Sequence, residues 1–153
     1  MISARARSLS VLPFNCATPY SVTEVPSTGM VEVAVFADIL TLKEALEFDR
    51  HVNRDTDFLL TSCCCPVWVS MIRNIYGELV PYMPGAVSPM IAAGRAVKKM
   101  HPDAVTVFIG PCLAKKKEAK EPDICDAIDV VLTFQETAML FEAMGIAPQQ
   151  MEE

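Results

Sequence analysis

No stretch of the 153 residues approaches the roughly 18 to 20 uninterrupted apolar positions that a membrane span needs. Asp38, Lys43, Glu44 and Glu47 break up the first apolar region. A basic surface is missing too: 13 Lys and Arg stand against 19 Asp and Glu, a net charge of −6, and the run Lys115 to Lys117 is followed closely by Glu118 and Glu121. Nucleic acid is therefore not an expected partner. The two histidines, His51 and His101, have no partner at ligand spacing. Nor do the six cysteines form a disulfide pattern, because Cys63, Cys64 and Cys65 are consecutive, and neighbouring cysteines pair only in strained geometry. The N-terminus has two arginines and a short apolar patch, but Leu9 to Phe14 contains Ser10 and Pro13 and is shorter than a usual signal core. No export signal is read, and a reducing cytoplasm is the expected compartment.

What remains is the composition of one soluble globular domain, 52% hydrophobic and 21% charged. Residues 1–30 are punctuated by Pro13, Pro19, Pro26 and Gly29 and read as irregular. Val31 to Phe36 alternates as a strand would, and Leu40 to Val52 has helical spacing. Asp57 to Thr61 reads as a short strand that feeds Ser62-Cys63-Cys64-Cys65-Pro66, with Pro66 opening a helix that runs to about Gly77. Ser88-Pro89 opens another helix, to about Met100. Ala104 to Ile109 and Ala127 to Thr133 read as strands covered on both faces, and Gln135 to Met144 as a last helix closed by Gly145. Strands alternating with helices predict an α/β fold, a parallel sheet with flanking helices.

In such sheets functional groups collect at the carboxyl ends of strands. Cys63 to Cys65 follow one predicted strand and Cys112 another, so one sheet edge is expected to bring together thiols that lie 47 positions apart. Clustered thiolates bind soft metals, chiefly zinc or iron–sulfur clusters, and four are usually required. Lys115 lies one helical turn beyond Cys112 and could donate hydrogen bonds to an anionic ligand. Glu118, a turn further, could pair with Lys115 or relay a proton. Lys116 and Lys117 read as solvated, and Cys16 and Cys125 as buried structural thiols.

Two segments together carry a family likeness. Thr61-Ser62-Cys63-Cys64-Cys65-Pro66-Val67-Trp68 resembles the first signature of iron-only hydrogenases, and Pro111-Cys112-Leu113-Ala114-Lys115-Lys116-Lys117-Glu118 resembles the second. Ala37-Asp38 with Glu44 and Glu47, Ser88-Pro89, and Asp129 to Thr133 with Glu136 agree further, so the likeness covers about residues 31–146, followed by a tail at 147–153. Aligned on Pro66, the resemblance makes Cys65 a ligand of the 4Fe-4S part of the active-site cluster and Cys64 the thiol that passes protons to its di-iron subcluster. Cys63 falls where the family usually has serine. Cys112 becomes a second cluster ligand, Lys115 the residue holding a cyanide of the di-iron unit, and Glu118 part of the proton path.

The resemblance implies the fold of the iron-only hydrogenase large subunit and reversible oxidation of molecular hydrogen, with a ferredoxin-like electron carrier or a missing C-terminal segment as partner. Departures are equally visible. The third signature, which supplies two more cluster cysteines, is not found within the sequence, Val67 replaces a glycine, Gly110 replaces a methionine, and no ferredoxin-like Cys-x-x-Cys runs are present. The fragment alone is therefore expected to be inactive. The rival readings are a non-catalytic iron–sulfur assembly or hydrogen-sensing relative, and a metal-free thiol redox sensor built on Cys63 to Cys65.

Overall fold

Val31 to Phe36, expected as a strand, leads instead into an 18-residue helix, α1 (Ala34–His51), in the computed structural model, which describes residues 29–60 and 62–150. Val31, Val35 and Ile39 also repeat at i, i+4 spacing, and continuity with the helical pattern from Leu40 onward outweighs the period-2 alternation of a short window. None of the residues of α1 is buried. Its apolar stripe Val35, Ile39, Leu42, Leu46 is about half exposed or more. Polar clamps hold the helix: Lys43 Nζ donates to the Gly85 carbonyl at 2.7 Å, and Glu47 Oε1 accepts from the Gly85 N–H at 3.0 Å.

The second correction concerns residues 57–60, which lie outside any strand. Leu60 N–H donates to the Tyr82 carbonyl at 2.7 Å, but Tyr82 ends a 3-10 turn, Gly77–Tyr82, that contains Pro81 and offers no ladder. The predicted helices follow. Helix α2 is Pro66–Ile75 with proline in its first turn, and α3 is Pro89–Met100 with Ser88 at its N-cap. Strand β1 (Val107–Ile109), helix α4 (Ala114–Glu118) and strand β2 (Val130–Leu132) form a β-α-β unit, and α5 (Phe134–Ala143) completes the order. Gly145, at φ +65°, ends α5 in the left-handed conformation expected of a glycine C-cap.

β1 and β2 pair in parallel, Val107 with Val130 and Ile109 with Leu132. Phe108 and Val131 face the core of Met90, Ile91, Ala127 and Ile128, whose larger side chains each contribute roughly 1.5–3 kcal/mol by burial. Contrary to expectation, the opposite face is only partly covered among the described residues: Val107 and Ile109 are 38% and 48% exposed, while Val130 and Leu132 beside them are half-buried. Helix α3 comes so close to the chain before β2 that a Cβ on Gly94 would overlap the Ala127 carbonyl and the Ile128 side chain. Asp129 staples the strand entrances, its Oδ2 accepting from Thr106 N at 2.7 Å while its Oδ1 accepts from Lys98 Nζ at 2.8 Å. Burial pushes the Asp129 carboxyl up, but the bonds from Lys98 and Thr106 outweigh it and hold the group below its ordinary value.

Candidate functional site

The cysteine loop enters α2 directly, with Cys65 as the extended N-cap residue and Pro66 in the first turn. Val67, in the first turn of α2, is 60% exposed. The second loop leaves β1 through Gly110, whose N–H extends the ladder to the Leu132 carbonyl at 3.0 Å. A Cβ at Gly110 would meet the tip of the Phe108 ring, which would have to shift.

Lys115 joins the two loops. Its backbone N–H donates to the Cys112 carbonyl at 3.3 Å, and its ammonium donates to the Cys64 carbonyl at 3.0 Å and to Glu118 Oε2 at 2.7 Å. The Lys115 and Glu118 side chains are only 12% and 8% exposed, so this is an inward ion pair. An ammonium has three N–H donors, and among the described residues two are committed, leaving one for an incoming acceptor.

The three consecutive cysteines divide by environment. Cys63 is buried, and its thiol donates to Glu44 Oε1 on α1 at 2.7 Å. Burial first, and then the bond to Glu44 and the charge of that carboxylate, push the Cys63 thiol up to about 12. Cys64 and Cys65 are exposed, with the Ser62 hydroxyl 3.6 Å from the Cys64 sulfur, and Cys112 is half-buried. Cys125 corrects an expectation. It is exposed, with its thiol 3.5 Å from the Pro122 carbonyl, because it falls in a turn rather than on the core face of a strand. Cys16, the Leu9 to Phe14 patch and Thr61 lie outside the described residues. Lys117 is exposed, whereas Lys116, read as solvated, pairs with Glu136 at 2.6 Å.

Sequence reading did not anticipate the contact of Glu44 with Cys63, which spans 19 positions on elements with no common periodicity. The available signal was the agreement of Glu44 with the family pattern. As to metal, no group of three or more His, Cys, Asp or Glu able to hold an ion is found among the described residues. Cys65 and Cys112 thus do not amount to the four-thiolate set of a 4Fe-4S cluster.

In this α/β unit the Cys112 loop leaves β1, the Cys63 to Cys65 loop follows a segment outside any strand, and the inward Lys115 joins the two into one thiol-bearing site. The model of the "Iron only hydrogenase large subunit, C-terminal domain" matches residues 21–153, and the chain belongs to this family. Iron hydrogenase 1 of Clostridium pasteurianum is 31% identical over 129 residues, 76% of this chain and 22% of that protein. Cytosolic iron-sulfur assembly component 3 of Rattus norvegicus is 28% identical over 120 residues, 69% of this chain and 25% of the relative. A solved variant of the [FeFe]-hydrogenase HydA1 from Chlamydomonas reinhardtii superposes with a TM-score of 0.67 at 25% identity, over 79% of this chain and 34% of that one. The chain therefore spans between about a fifth and a third of these relatives. No helix among the described residues is long and apolar enough to cross a membrane.

Proposed function

We propose that this chain is one part of an iron-only hydrogenase-type iron–sulfur domain, contributing Cys65 and Cys112 as thiolates and Lys115 as a cation beside them. One observation carries the reading: Lys115 bonds the backbone of both cysteine loops and keeps a donor uncommitted. Thiolates suit iron, and the lysine suits an anionic ligand of the iron. In the whole domain the activity would be reversible oxidation of molecular hydrogen, with electrons exchanged through a ferredoxin-like carrier. Cys64, exposed beside Ser62, and Glu118, inward against Lys115, are the residues placed to handle protons. The remaining cluster ligands would come from a further C-terminal segment, and the setting would be a reducing cytoplasm. Because two thiols cannot hold the cluster, no catalytic step is assigned to this chain alone.

The iron–sulfur assembly relative favours a second reading, a non-catalytic member of the family with the same two-cysteine site. Anaerobic reconstitution of the full chain with ferrous iron and sulfide tests the shared core of both. Iron and acid-labile sulfide should bind weakly, in a form that a chelator removes, and this binding should be lost in Cys65→Ala and Cys112→Ala but retained in Cys125→Ala. Binding indifferent to Cys65 and Cys112, or no iron but a Cys64–Cys65 disulfide on mild oxidation, would replace it with the thiol-sensor reading.

A further inference from the structure

Three thiols on adjacent residues are chemically alike, and with consecutive Cα atoms only about 3.8 Å apart a rearrangement of the loop could offer any of them to one centre. A site built on such a run has to prevent the wrong sulfur from reacting. We propose that Glu44 performs this sorting: by holding the Cys63 sulfur against α1 it withdraws that thiol from metal and disulfide chemistry and leaves Cys64 and Cys65 as the reactive pair.

The geometry supports each part. Cys63 is 6% exposed and bonded to Glu44 Oε1 at 2.7 Å, so reaction at its sulfur requires both opening of the loop and loss of that bond. Cys64 and Cys65, one and two residues on, are exposed. Glu44 does not wander, because its neighbours Lys43 and Glu47 grip the two backbone groups of Gly85 and fix the register of α1. On the other side Lys115 ties down the Cys64 carbonyl, so the chain turns outward immediately after Cys63. A disulfide between Cys63 and Cys64 would have to pull the first sulfur out of its contact with α1. The sorting itself needs no iron, whereas its consequence for ligand choice rests on the iron–sulfur reading above.

Timed alkylation of the reduced, full-length chain with iodoacetamide, read cysteine by cysteine by mass spectrometry, tests this without iron. Hydrogen bonds to charged groups are the stronger ones, so Cys63 should react at least about tenfold more slowly than Cys64 and Cys65. Glu44→Ala should raise the Cys63 rate about tenfold while sparing the others, and Glu44→Gln, which keeps an acceptor oxygen but loses the charge, should restore only part of the protection. Equal rates in the unaltered chain, or a Cys63 rate unmoved by Glu44→Ala, would overturn the proposal. Should Glu44→Ala not fold, Cys63→Ser decides: with its hydroxyl on Glu44 it should bind as much reconstituted iron as the parent, and loss of iron would make Cys63 a ligand and the sorting wrong. An absence of iron in the parent as well would count against the iron–sulfur reading only, since the alkylation rates stand on their own.

Discussion

Lys115 reaches across 51 positions of sequence to place its ammonium 3.0 Å from the carbonyl of Cys64 while its own α4 turn begins at the carbonyl of Cys112. The same ammonium neutralises Glu118, which is 6% exposed. Lys115→Ala strands a buried carboxylate and should cost about 3 kcal/mol in urea unfolding. Adding Glu118→Gln should recover most of that loss, because the penalty lies in the unpaired charge. The double variant should still exchange amide hydrogens faster at residues 62–65, since the tie to Cys64 is gone. Unchanged exchange there would mean that the lysine does not organise the cysteine loop.

Gly94 is a packing residue. Its missing Cβ makes room for the Ala127 carbonyl at the entry to β2, so Gly94→Ala should lower stability by about 1–3 kcal/mol through overpacking, despite alanine's better helix propensity. Gly145→Ala should cost about 1 kcal/mol for a different reason, its φ of +65° with nothing near the added methyl. Thermal unfolding of the two variants checks both, and a stabilising Gly94→Ala would show that α3 and the β2 entrance can separate freely.

The cap of α5 carries an acid-sensitive contribution. Thr133 Oγ1 accepts from Glu136 N at 3.2 Å, and Glu136 Oε2 accepts from Thr133 N at 2.8 Å. The Lys116 bond first, then the bonds from Thr133, bring the Glu136 carboxyl down to about 2 from 4.5. A depressed carboxylate stabilises the fold above its unfolded value, so this contribution is complete above pH 4.5 and lost as pH falls toward about 2. Glu136→Gln should flatten the acid limb of the stability profile in that window and lower stability near pH 7, where the charged carboxylate contributes in full, so that variant and parent converge as pH falls toward about 2. Thr133→Ala should cost about 1 kcal/mol near pH 7, and less in acid, where the bond from its hydroxyl to the Glu136 carboxylate is already lost.

How much of this was legible depended on whether the signal was local. Pro66, Ser88-Pro89 and Gly145 mark helix ends by chemistry confined to a few residues, and the helices lie where those marks are, whereas the capping box of Thr133 with Glu136 went unread. The parallel pairing of β1 with β2 followed from strand–helix alternation. The alternation of Val31, Val33 and Val35 misled because six residues hold both periods, and Asp57 to Thr61 misled because a strand exists only where a partner does. Cys125 was expected to be buried because free cysteine usually is, and the loop that follows Pro122-Asp123 leaves it exposed instead. Cys63 with Glu44, and Lys115 with Cys64, were beyond local reading: each joins elements whose approach is set by packing. The family pattern marked the residues but not the pairs.

The isolated chain should evolve no hydrogen with a strong reductant, even after treatment with the assembly enzymes that mature iron-only hydrogenases. Four thiolates are the usual requirement for a cubane, and Cys65 and Cys112 are the two that the signature motifs supply. Cys64 is on the same turn as Cys65, Cys63 is turned into α1 by Glu44, and Cys125 hangs from the Pro122 turn with no rigid element behind it. Recruiting any of them means reordering a loop, at a backbone cost of about 1–2 kcal/mol per residue fixed, which a few new bonds to metal must offset. Iron should therefore bind weakly and yield to a chelator, and adding a polypeptide that carries two further cluster thiolates should make binding chelator-resistant. Sustained, chelator-resistant hydrogen production by the 153-residue chain on its own would show instead that its remaining cysteines complete the site.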